Sequence, residues 1–264
     1  MLSAVIAVFL MCPAIFAHIQ SGSPNLDELK LVTQLPLELP QRISGFAYDG
    51  EKFWVLIYQG KGRYATFDPA TLGWTIGDSA ERQQIIRKIS GRHESPGGIC
   101  FAGGKLWVGG SYGESFGALD TQTWEIEQFF QGKQRDDRAG QSYAGMAYDG
   151  NHLWIAWHWV RYSLPESSTQ VLLKVEPKTG KVVAEYPLPA GTRNDTTHGL
   201  TWDGTRLWHI KDRQLTSIHP SNGAVNAYHT LAQLKRPSGL AWDGQALWIA
   251  EWDGKLWRLP FSGS

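Results

Sequence analysis

Cysteine is almost missing from this chain. There are two, Cys12 in an apolar N-terminal run and Cys100 in the run ICFA. Once that N-terminal run is removed, Cys100 is a lone thiol and forms no internal disulfide, so stability must come from packing and strand pairing. It reads as a buried small hydrophobe. Charge of one sign is not in excess either: Lys plus Arg and Asp plus Glu number 25 each. With no net field to draw them in, nucleic acid and anionic lipid are discounted as partners. Long apolar runs are lacking except for MLSAVIAVFLMCPAIFA, Met1 to Ala17, which is short for a membrane span. It is expected to be a signal peptide cleaved near Ala17. The expected organisation is a leader over 1–17, a linker over 18–28 and one domain over 29–264. The mature protein is expected to be exported, periplasmic or secreted, without stable membrane insertion, and monomeric.

Glycine and tryptophan, in contrast, are plentiful, at 29 and 13 residues. Many glycines mean many tight turns, and many indoles mean large flat groups packed between sheets. Both fall on a repeat. ISGFAYDGEKFWVL, PGGICFAGGKLWVG, YAGMAYDGNHLWIA, HGLTWDGTRLWHI and PSGLAWDGQALWIA are five copies of one unit. Their anchors Gly45, Gly98, Gly145, Gly199 and Gly239 are each followed nine residues later by Trp54, Trp107, Trp154, Trp208 and Trp248. Anchor spacings of 53, 47, 54 and 40 residues indicate a propeller or solenoid. Short runs of Val, Ile, Trp, Tyr and Phe between Asp-Gly and Pro-x-x-Gly turns are hairpin grammar, not a helical period.

Each copy divides into strands A to D. Strand A follows the anchor glycine, and an Asp-Gly turn leads into strand B. Strand C includes ATFDP, FGALD and LLKVEP. Strand D includes QIIRKIS, WEIEQFF, KVVAEYPL and AVNAYHTL. The last copy ends at LWRLPFSGS with no residues for its strand D, while LKLVTQLPLEL, Leu29 to Leu39, is a strand without a repeat. If the N-terminal strand completes the last sheet, the ring closes without an open edge. The predicted fold is therefore an all-β, five-bladed propeller with four antiparallel strands per blade.

A group that recurs in every blade serves the architecture, so the five tryptophans are assigned to packing and the Asp-Gly pairs to turns. Function is sought where the copies differ. Strand A is innermost in a propeller, which brings Ser44, Gly97, Ala144, His198 and Ser238 to the channel mouth. Among these His198 alone is ionisable and is the candidate acid/base. The B–C loops reach the same face. The proposed lining of a ligand site is Arg42, Tyr143, His158, Trp159, His198, Asp212, Arg236 and Trp252, with aromatic faces beside Arg and carboxylate partners. No zinc-type ligand spacing, P-loop, G-x-S-x-G or dinucleotide fingerprint is present. No cofactor is expected; a divalent metal in the channel would have to be assembled across blades from His158, His198, Asp212 and Glu251.

The repeated G-[hydrophobic]-A-[aromatic]-D-G-x-x-L-W pattern, with five blades closed by the chain termini, resembles the exported glutaminyl-peptide cyclotransferase propellers. The likeness covers most of residues 29 to 260 and rests on architectural motifs. It implies the fold, and it implies acidic residues just before the strand-A glycines; here those positions are Ser44, Gly97, Ala144, His198 and Ser238. The first functional expectation is a binding module for a small polar molecule, glycan or peptide. The second is an enzyme, cyclotransferase-like or lyase-like, using His198. The third is a protein–protein interaction scaffold.

Overall fold

Each copy of the repeat folds as a four-stranded antiparallel sheet, and five such sheets form the ring of a five-bladed β-propeller. This computed structural model describes residues 22–58, 61–91, 96–111, 115–132, 140–160, 169–188 and 199–262. The expected leader therefore lies outside the described residues, and among these no helix is long and apolar enough to cross a membrane.

Blade one comprises Ile43–Tyr48, Phe53–Ile57, Tyr64–Asp68 and Gly73–Gly77 as strands A to D. Blade two comprises Pro96–Ala102, Lys105–Gly110, Ser115–Asp120 and Ile126–Gln131. Blade three comprises Gly140–Tyr148, Leu153–Val160, Thr169–Val175 and Val182–Pro187, and blade four Gly199–Trp202, Leu207–Lys211, Gln214–Ile218 and Val225–Thr230. Blade five has Pro237–Trp242, Ala246–Glu251 and Lys255–Ser262 from the C-terminal end of the chain. Its fourth strand is Lys30–Gln34, paired antiparallel so that Lys30 faces Arg258 and Gln34 faces Lys255. The termini close the ring as the strand count required.

One expectation needs correction. QIIRKIS is not strand D of blade one. Gly73–Gly77 takes that place, and Ala80–Ser90 is an α-helix. Ser79 caps it by accepting from the Arg82 backbone N–H, and Glu81 opens and Arg87 and Lys88 close it with the charges that a helix dipole favours. Ile86 and Ile89, three apart, are buried against blade two. Within the expected linker 18–28, Ser23–Pro24 pairs with the far end of the blade-five strand Lys255–Ser262 and Leu26–Glu28 forms a 3-10 turn.

The core lies between blades. Buried clusters join neighbouring blades, and each strand-B tryptophan is part of one. Four of these indoles are also tied to their own turn. In blade three, Asp149 Oδ1 accepts from the backbone N–H of Asn151 and His152, and Oδ2 accepts from Trp154 Nε1 at 2.8 Å. Asp49, Asp203 and Asp243 hold Trp54, Trp208 and Trp248 in the same way. The Asp of each Asp-Gly pair thus builds the turn and satisfies an indole donor at once. Blade two has Ala102 at this position.

The anchor glycines set the bore of the ring. The innermost strands meet edge to face, and a Cβ on Gly45 would stand 2.6 Å from the Gly97 carbonyl oxygen. One on Gly98 would stand 2.6 Å from Gly145 Cα, and one on Gly199 2.7 Å from the Gly239 carbonyl carbon. Any larger residue would push the blades apart.

Candidate functional site

At this glycine ring lies a cavity of about 10 Å³, lined by residues including Ser44, Ala144 and Ser238. That volume is at the threshold for a single water. Ser44 Oγ donates to the Leu56 carbonyl at 3.3 Å, and Ser238 Oγ to the Ala250 carbonyl at 3.5 Å. Strand A carries a register shift here in blades one, two, three and five. Among the described residues at these positions no side chain is ionisable, and His198 lies outside the described residues.

Above the glycine ring, on the face of the B–C turns, two of the expected residues, Arg236 and Trp252, come together with Tyr58. Arg236 sits with its guanidinium carbon 4.2 Å from the centre of the Trp252 ring. Trp252 in turn lies 5.0 Å from Tyr58, tilted by 48°. Backbone hydrogen bonds fix this order: Trp252 N–H donates to Arg236 O, Ile43 N–H to Trp252 O, and Tyr58 N–H to Arg42 O. Arg42 is exposed beside the stack. Beneath it Glu251, 1% exposed, ends strand B of blade five. Its Oε1 accepts from the backbone N–H of Lys235 and Arg236, and its Oε2 from Trp257 Nε1 at 2.7 Å. Glu251 thus anchors the connection that carries Arg236, and its oxygens are engaged there.

The other expected residues are placed elsewhere. Tyr143 and Trp159 are buried in the packing between blades two and three, where Tyr143 meets Phe116 at 5.4 Å. His158 is fully buried. Along strand B of blade three, Trp154 and Ala156 face blade four, so alternation turns His158 the same way. Asp212 sits at the B–C turn of blade four with φ 54°, a left-handed conformation that Asp tolerates better than most residues. Among the described residues no group of three or more His, Cys, Asp or Glu converges as a metal site would.

The seam that receives His158 holds His209, which sequence reasoning missed, and Lys211, which it placed in the blade-four B–C loop. In blade four, Leu207 packs against blade three, and His209 and Lys211 follow on its face of the strand. They are 1% and 3% exposed. The position of His209 is Val55, Val108, Ile155 and Ile249 in the other blades. Burial, and then the charge of Lys211, push its imidazole down to about 3, so it is neutral at ordinary pH. Aligning the five strands B would have exposed both residues, because they alone put a base where the copies are apolar, glycine or acidic.

A wide groove opens on the outer side of the same face. It has a volume of about 740 Å³ and is lined by Asp212, Arg213, Gln214, Thr230, Ala232, Gln233, Leu234 and Lys235. That size is in the range of ligand pockets, and Lys235 in its lining is the chain neighbour of Arg236.

No protein-family model and no curated protein matches the chain. Solved structures do. The glutaminyl cyclase of Myxococcus xanthus is similar over 88% of this chain and 95% of its own, at 10% identity and a TM-score of 0.58. A chain of a nidogen/laminin complex is similar over 81% of this chain and 73% of its own, at 16% identity and a TM-score of 0.50. The virginiamycin B lyase of Staphylococcus aureus aligns with 89% of this chain over its full length, at 15% identity and a TM-score of 0.48. At these identities the likeness is one of fold. A cyclase and a laminin complex on one fold mean that the fold does not select a chemistry.

Proposed function

We propose that this chain is an exported propeller that binds a small polar molecule, glycan or peptide at the loop face of its ring, with Arg236 as the anchoring cation. One observation carries the reading. The Arg236 guanidinium is stacked on Trp252, which rests on Tyr58 beside Arg42, and its backbone is fixed by the buried Glu251. A guanidinium set over an indole suits a carboxylate or another planar anion. The cyclisation reading has less support, because the positions at which the resemblance implies acidic residues hold Ser44, Gly97, Ala144, His198 and Ser238.

Thermal unfolding in the presence of a panel of carboxylate-bearing amino acids, uronic acids and short acidic peptides tests this. A ligand at a hundredfold excess over its Kd should raise Tm by about 5 °C. Arg236→Ala should weaken that ligand at least about tenfold, and Arg236→Lys should restore only part, since lysine keeps the charge without the fork. A panel without effect, or a bound ligand indifferent to Arg236→Ala, contradicts the reading. Turnover of a bound compound that His198→Ala slows about a hundredfold or more would replace binding with enzymatic chemistry.

A further inference from the structure

We infer that the ligand is an extended anionic oligosaccharide, running from Arg236 outward along the groove between the blade-four turn Asp212–Arg213 and the connection Ala232–Lys235. The inference rests on the reading above for its inner end. Lys235, on the groove's lining, is the chain neighbour of Arg236, and the groove's 740 Å³ exceeds what one small carboxylate fills. Its charged lining is two cations, Arg213 and Lys235, against one carboxylate, Asp212, and Arg236 is the next residue along the chain. The remaining polar lining is Gln214, Gln233 and Thr230, side chains that pair with hydroxyl groups in both senses. Gln214 Nε2 already donates to Thr230 Oγ1 at 3.4 Å, which holds the two on one wall.

An acidic peptide fits less well. Peptides bound in extended form are recognised through main-chain hydrogen bonds and apolar side-chain pockets. Here four backbone donors of the connection are engaged internally: Leu231 N–H with Arg213 O, Leu234 N–H with Leu231 O, and those of Lys235 and Arg236 with Glu251. The apolar lining is Ala232 and Leu234, and Leu234 is 1% exposed because it belongs to the core beneath. What is left to recognise a chain is a set of amides, a hydroxyl, a carboxylate and cations, which matches sugar hydroxyls and uronate groups.

Isothermal titration of the purified protein with galacturonic acid, its hexamer, a neutral glucose hexamer and hexaglutamate decides this. The uronate hexamer should bind at least about tenfold tighter than the monomer, and more weakly as salt rises. The Arg213→Ala/Lys235→Ala double variant alters exposed side chains only. It should remove the advantage of length and leave monomer binding unchanged, whereas Arg236→Ala should weaken both. A hexamer no better than the monomer, an unaltered advantage in the double variant, or tighter binding of the glucose hexamer or hexaglutamate overturns the inference. If monomer binding still depends on Arg236 in such a case, the mouth reading stands and the groove alone fails. If the hexamer binds through Arg213 and Lys235 but not Arg236, the inner end, and with it the mouth reading, is wrong.

Discussion

Single side chains in this propeller do two jobs where the fold is tightest. Asp149 shapes a turn and holds the Trp154 indole. Replacing it with Ala leaves an indole N–H and two turn N–H groups to find other partners. The cost should be about 1–3 kcal/mol in urea unfolding. Burial alone would raise the Asp149 pKa, but the bonds from Trp154 and from the His152 and Asn151 backbone outweigh it and hold the carboxyl below its ordinary value. Its contribution is complete above the unfolded-state value near 4 and is lost as pH falls through the lower folded value. Asp149→Asn should flatten the acid limb of the stability curve in that window. His209 acts earlier in a titration. Its folded pKa of about 3 lies below the unfolded value of 6.5, so stability declines as pH falls from 6.5 toward 3. The loss from this one group is on the order of 4 kcal/mol, by the conversion of pKa difference to free energy. His209→Val, which installs the residue of blades one and two, should remove that slope. An unchanged slope would mean that His209 is not held neutral in the seam.

Elements were legible in the sequence where the repeat enforced them. The Asp-Gly turns and strands A to C follow from alternation and turn residues alone. The helix Ala80–Ser90 did not, because a repeat frame assigns QIIRKIS to strand D, while the Ser79 cap and the Ile86–Ile89 spacing are local signals that the frame overrides. The C–D turns show the opposite case. Gly180 and Gly223 take positive φ in blades three and four, but the matching residues in blades one and two are Leu72 at φ 57° and Trp124 at φ 63°. Trp124 is compensated by burial against Trp54 and Tyr64. Leu72 is 57% exposed and has no such packing. Leu72→Gly should therefore stabilise the protein by about 0.5–1 kcal/mol despite the entropy that glycine adds to the unfolded chain. A loss of stability would mean that the turn is not strained.

At the scale of the whole molecule, closure and function separate. The pairing of Lys30–Gln34 with Lys255–Ser262 was readable as a strand missing at one end of the chain and spare at the other. Removing residues through Gln34 should expose that blade-five edge, lower Tm sharply and give oligomers in size-exclusion chromatography. A truncated protein that stays monomeric with unchanged Tm would show that the ring does not depend on this strand. The site was less legible. Arg42 and Arg236, which share one repeat position, and Trp252 were marked for the mouth, and of these Arg236 and Trp252 meet. Tyr143, His158 and Trp159 were marked likewise, but burial between blades was decided by which face of the strand they occupy, and a register shift at Tyr143–Gly145 is not visible in residue order. His198, the only ionisable group at its ring position, stays a proposal for mutagenesis.

The Arg236–Trp252–Tyr58 stack is the proposed place where ligand meets protein. Indole N–H resonances of the tryptophans, followed by NMR during titration with the tightest carboxylate ligand of the thermal panel, test it most directly. The Trp252 signal should move with saturating, ligand-dependent shifts, while the clamped Trp54, Trp154, Trp208 and Trp248 signals hold still. Shifts confined to those four, or a Trp252 signal that never moves while the ligand binds, would contradict it.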